Sequence, residues 1–177
     1  MRITLSDIRL SPDIIRRLAS SEDMTPLMTN ISEILLESVE QNFISQGRPT
    51  RWAATKPKTL ARRIHGGTKT LIDKGASGGL LGSLAREVVK TQNGYKITVF
   101  SGKEYAAVMQ FGASKGEFGT KQVTVPAHRR AGRTVREHTR RMAIPWGNIH
   151  ARPFLVIQTE DMESAKAAII NFVNNLG

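Results

Sequence analysis

Cysteine is absent from this chain. Disulfides, thiolate metal sites and cysteine nucleophiles are therefore excluded, and the absence suits a reducing compartment. Aromatic residues are scarce, at 6% of 177 residues, so a surface built for stacking on bases has little to draw on. No apolar run approaches the roughly 20 residues that span a bilayer. The first twenty residues, MRITLSDIRLSPDIIRRLAS, hold neither an unbroken apolar core nor a small-residue cleavage site. The expectation is a soluble intracellular protein with no membrane partner.

Catalytic patterns are missing as well. HExxH, GxSxG and GxxxxGK[ST] do not occur. The four histidines, His65, His128, His138 and His150, have no carboxylate at metal-ligand spacing. His128 and His138 come near each other if their segment is a hairpin; two half-exposed imidazoles among arginines satisfy the pattern without a metal. Asp73 beside Lys74 lacks a partner carboxylate and reads as a turn residue. No catalytic residue, cofactor or metal is expected, and an enzyme lacks its nucleophile–base–acid set.

Acidic residues are also under-represented: 15 against 26 lysines and arginines, for a net charge of +11. The excess is local. Residues 1–47 carry four basic and seven acidic groups, whereas 48–74 carry eight basic and one acidic. Residues 115–141 carry eight basic and two acidic. Two segments hold more than the whole surplus, which favours an anionic partner, either nucleic acid or an acidic protein surface. The alternative is a pair of solvated basic loops that aid solubility.

The remaining sequence has 40% hydrophobic residues, enough for one domain with a core over 1–177. Residues 1–24 read as an N-terminal extension, in which Ser11 and Pro12 start a short helix to Ala19. A longer helix begins at Thr25-Pro26, with Leu27, Ile31, Ile34/Leu35, Val39 and Phe43 on one stripe, and stops near Gly47 and Pro49. Residues 48–79 form a basic glycine-rich loop, expected to be ordered where Trp52 docks, with a helical turn or two within Lys58 to Ile64. Arg86–Thr91 and Tyr95–Ser101 flank Asn93-Gly94, the preferred type I′ hairpin turn. Glu104 to Gln110 reads as a short helix, Ala151 to Ile157 as a final strand, and Thr159 as the cap of a helix with acidic Glu160, Asp161 and Glu163 in its first turn. The fold class is α+β: an antiparallel sheet packed by two long amphipathic helices, with a projecting basic β-hairpin arm over 115–142.

In the arm, VTVPAHRR (Val123 to Arg130) is similar to TVREHTRR (Thr134 to Arg141), with a turn at Ala131-Gly132-Arg133. Pro126 places its strand at an edge or a bulge. Arg129, Arg130, Arg133, Arg136, Arg140 and Arg141 are the candidate contact residues, because a guanidinium fork binds phosphate or carboxylate and stays charged when desolvated. No aromatic lies between Val123 and Arg141, which disfavours base recognition and leaves duplex backbone or an acidic protein. Trp146 reads as a packing anchor.

Four segments in order resemble the phage virion morphogenesis family, the tail completion proteins of Mu-like contractile-tailed phages and prophages. They are Trp52 with Thr59-Leu60, LIDKGASGGLLGSL (Leu71 to Leu84), EYAAVMQFG (Glu104 to Gly112) and IPWGNIHARPFL (Ile144 to Leu155). Met109 stands where a histidine is common, His150 stands where a proline is common, and the arm is short for the family. The resemblance implies a structural role late in tail assembly, at the head-proximal end, as tail terminator or in head–tail joining. It implies a homo-oligomeric ring, possibly a hexamer, with tail tube or neck proteins as partners, assembled in the bacterial cytoplasm and carried in the virion tail or neck. Trp52, Tyr105, Phe111, Trp146, Pro153 and Phe154 are the packing anchors of these motifs. The competing expectation is a module binding DNA backbone without sequence specificity through both basic segments.

Overall fold

A computed structural model describes residues 10–21, 23–73, 78–92, 94–130, 132–143 and 148–176. The helices are α1 (Pro12–Ala19), α2 (Thr25–Ile44), α3 (Pro57–Leu60), α4 (Ala106–Phe111) and α5 (Thr159–Asn174). The strands are β1 (Leu84–Thr91), β2 (Gly94–Ser101), β3 (Thr120–Val125), β4 (His128–Arg130), β5 (Arg133–Val135) and β6 (His138–Ala143). This is a mixture of helices and small antiparallel sheets, consistent with α+β. Asn93, at the expected hairpin turn, lies outside the described residues.

Helix α2 organises the core. It packs against β1 and β2 on one side and α5 on the other. Leu27, Ile31, Leu35, Val39 and Phe43 are buried, as the spacing predicts, but so are Ser32, Ser38 and Asn42 on its other flanks. A helix held between two layers buries more than one stripe, so its polar interior residues need partners. Ser32 Oγ donates to the Thr29 carbonyl and accepts from Arg86, whose other nitrogen bonds Glu33 at 2.7 Å. Helix α5 contributes Ala165, Ile169 and Val173 to the core; Leu176 is exposed beyond its end.

Three expectations are corrected. First, the strands form three separate two-stranded sheets, β1–β2, β3–β6 and β4–β5, rather than one sheet. Second, residues 151–157 are not a strand. Side chains replace the ladder that a neighbouring strand would supply. Asn42 Nδ2 donates to the carbonyls of Phe154 and Val156, each at 2.8 Å, and Gln110 Oε1 accepts from the backbone N–H of Phe154 and Leu155 at 2.9 and 3.0 Å. Third, Thr25 and Thr159 are the first residues of their helices and not the caps, which are Met24 and Gln158. Asp23 Oδ1 accepts from the Thr25 N–H at 2.8 Å, and Gln158 caps α5 with its N–H on Asp161 Oδ2 at 3.0 Å.

The basic stretch after α2 is tied into this core at its start. Gly47 has φ +112°, and a Cβ there would stand 2.5 Å from the Thr50 carbonyl oxygen, so only glycine fits the turn. Trp52 then reaches Phe43 edge-on at 5.5 Å and donates its indole N–H to the Pro153 carbonyl at 3.1 Å. Phe154 completes the group, 5.4 Å from Phe43.

Candidate functional site

The hairpin from β3 to β6 carries the six candidate arginines. Both ladders share one register: Val125 pairs with His138, and His128 pairs with Val135. The two short sheets are thus one hairpin, interrupted where Pro126 and Ala127 face Arg136 and Glu137. Proline has no N–H to offer the ladder. His128 Nδ1 lies 3.0 Å from the Pro126 carbonyl oxygen, and His138 Nδ1 lies 3.0 Å from that of Arg136. The similarity noted in the sequence is therefore a local pseudo-symmetry: each Val-x-x-His unit closes on its own carbonyl. The imidazole rings sit 6.4 Å apart, and among the described residues no group of three ligands capable of holding a metal occurs.

Alternation gives the base of the hairpin two unlike faces. Lys121 with Met142, Val123 with Arg140 and Val125 with His138 share one; Gln122 with Arg141 and Thr124 with Thr139 share the other. Val123, Val125, Val135 and Met142 are half-buried, and no described side chain between residues 120 and 142 is buried. Arg129, Arg133, Arg136, Arg140 and Arg141 are exposed, and none of them forms an ion pair among the described residues. The side chain of Arg130 lies outside the described residues, as does all of Trp146.

The other basic segment divides. Arg48 is built into the core: its Nε donates to Asn42 Oδ1 at 2.9 Å, and its terminal nitrogens reach Ser38 O at 2.7 Å, Asp161 at 3.2 Å and Glu160 at 3.1 Å. One Arg63 nitrogen donates to the carbonyls of Gly67, Lys69 and Ile72. Arg51, Lys56, Lys58, Arg62 and Lys69 remain exposed.

The motif residues meet in one place. Ala113 and Ile149 exchange backbone hydrogen bonds at 3.0 and 2.9 Å, and Arg152 N donates to Met109 O at 2.8 Å. Gly112 has φ +76°, and a Cβ on it would lie 2.7 Å from the Ile149 carbonyl oxygen. The Gln110-Phe111-Gly112 signature is thus a seat for the Ala151–Leu155 segment. Of the expected anchors, Trp52 and Phe154 are buried; Pro153 is exposed but supplies the acceptor for Trp52. Tyr105 and Phe111 are exposed, at 44% and 70%, so they anchor no core within the chain. Asn42 and Arg48, which make as many of these connections, escape sequence reasoning because nothing in helical spacing distinguishes a buried amide from a surface one. No helix among the described residues is long and apolar enough to cross a membrane.

No curated protein and no solved structure matches the chain significantly. A family model does match, over residues 9–174. The chain belongs to the phage virion morphogenesis family.

Proposed function

We propose that this chain is a non-enzymatic subunit of a ring, possibly a hexamer, that closes the head-proximal end of a phage tail, with the hairpin 120–143 gripping the neighbouring subunit. Family membership supports a structural role in virion assembly. The observation that carries the finer reading is the hairpin itself. It keeps half-buried valines on one face, none of its described side chains is fully buried, and among the described residues its arginines form no ion pair. Both free edges and the valine face are satisfied when an adjacent copy covers them, and closed cyclic symmetry satisfies every copy alike. The arginines then meet carboxylates of that neighbour or of tail tube and neck proteins. Assembly takes place in the host cytoplasm, and the protein ends in the virion.

The test is removal of Val123 to Arg141 with a short glycine-serine closure. The account expects far-UV dichroism and tryptophan fluorescence to be retained while oligomer mass and incorporation into tails are lost. A deletion variant that assembled like the full chain would remove the hairpin from the interface.

A further inference from the structure

A second positively charged site lies away from the hairpin. A cavity of about 370 Å³ is lined on its polar part by Thr55, Lys56, Thr59, Arg63, His150 and Arg152. Leu71, Met109 and Ile149 give its lining an apolar part, and Lys56, Arg63 and Arg152 give it three cations. Among the described residues no carboxylate lines it, and neither Arg63 nor Arg152 forms an ion pair.

Both arginines are fixed from behind. Arg152 is pinned by its backbone N–H on Met109 O and by Nε on the Ala53 carbonyl at 3.1 Å, leaving both terminal nitrogens without a protein acceptor among the described residues. Arg63 commits one terminal nitrogen to three carbonyls, leaving Nε and the other terminal nitrogen. Burial, and then the like charge of Arg63, lower the Arg152 pKa from the ordinary guanidinium value. Two like charges gathered on a partly buried wall are unfavourable until an anion joins them. The backbone is also unusual here: Leu71 and Asn148, both lining the cavity, have φ of +61° and +50°. A leucine in that region is held there by its surroundings, a form of strain that collects at binding sites.

We propose that this cavity binds a phosphate-class dianion between Arg63 and Arg152, with Lys56 at its mouth and the hydroxyls of Thr55 and Thr59 as further donors. Three positive charges exceed what one carboxylate compensates, and a tetrahedral group accepts from donors on opposite walls, whereas a carboxylate is served by a single fork. The volume admits a phosphate or the terminal phosphate of a larger molecule but not a duplex. The site shares no residue with the hairpin, so it stands or falls independently of the ring.

The experiment is calorimetric titration of the full chain with inorganic phosphate and with pyrophosphate at constant ionic strength. Parallel titrations use a duplex oligonucleotide with and without a 5′-phosphate, and a glutamate-rich peptide. Saturable one-site binding is expected, weakened about tenfold or more in Lys56→Gln and Arg152→Gln and unchanged in Arg133→Gln. Lys56 is exposed, so its variant tests the site even if Arg152→Gln disturbs the fold. A 5′-phosphate requirement identifies a nucleic-acid end as the source; binding of inorganic phosphate and pyrophosphate alone identifies free phosphate. Absence of saturable phosphate binding, equal affinity in both site variants, or binding confined to the glutamate peptide would overturn the assignment.

Discussion

Replacing Asn42 by leucine removes the clasp that holds residues 153–156 against α2 while keeping the number and branching of the side-chain heavy atoms. Three hydrogen bonds go: two from Nδ2 to the Phe154 and Val156 carbonyls at 2.8 Å, and one from Arg48 Nε to Oδ1 at 2.9 Å. Asn42 is fully buried, and Phe154 has 0% exposure. An unsatisfied buried acceptor costs about 1–3 kcal/mol, and the Arg48 donor, partly reached by water, costs less. The apolar leucine returns roughly 1–2 kcal/mol. The net loss is about 2–4 kcal/mol, a large fraction of the 5–15 kcal/mol typical of a domain. It corresponds to a fall in Tm of roughly 4–16 °C for a chain of this size. Urea denaturation followed by tryptophan fluorescence measures it. Asn30→Leu, on the exposed side of the same helix, is the control and changes stability by no more than about 0.5 kcal/mol. If N42L and N30L unfold at the same urea concentration, the amide clasp is not what orders the segment.

Gly112→Ala costs about 2 kcal/mol or more, since both φ and the Ile149 carbonyl oppose a side chain. Gly112→Asn recovers nothing, whereas Gly132→Asn is milder, because Gly132 has φ +76° with no atom within 4 Å of its Cβ position; thermal melts compare the three. Arg48→Gln leaves Asp161 short of its cation and destabilises by about 1–3 kcal/mol, read from the same melts. Hydrogen bonds from the Thr25 side chain and backbone lower the Asp23 pKa from the ordinary aspartate value. The folded value lies below the unfolded one, so the contribution of Asp23 is present above the unfolded pKa and disappears as pH falls through the folded pKa. Asp23→Asn therefore narrows the difference in stability between neutral pH and pH 3.

Periodicity made α2 and α5 legible, the Ser11-Pro12 start made α1 legible, and alternation around a turn signal made the β1–β2 hairpin legible, although Gly94 is the first residue of β2, paired with Thr91, and not the second residue of the turn. The 151–157 segment was not legible. Its apolar run, PFLV, has the composition of a buried strand, yet its backbone partners are Asn42 and Gln110, more than forty residues away in the chain. Composition also put Arg48 with the free cations, whereas its place beside Asp161 depends on how α5 docks on α2. The arginines of the hairpin were visible from local clustering alone. The anion pocket was not, because Arg63 and Arg152 come together only when the Ala151–Leu155 segment seats on Gln110 and Gly112.

The central claim is that the hairpin holds one subunit to the next at the end of a tail. Electron cryomicroscopy of tails assembled with this protein tests it most directly. The account predicts a closed ring at the head-proximal end, with residues 120–143 of each copy covered by its neighbour. A ring whose hairpins stand free in solvent, or tails that lack the protein at that end, would contradict it.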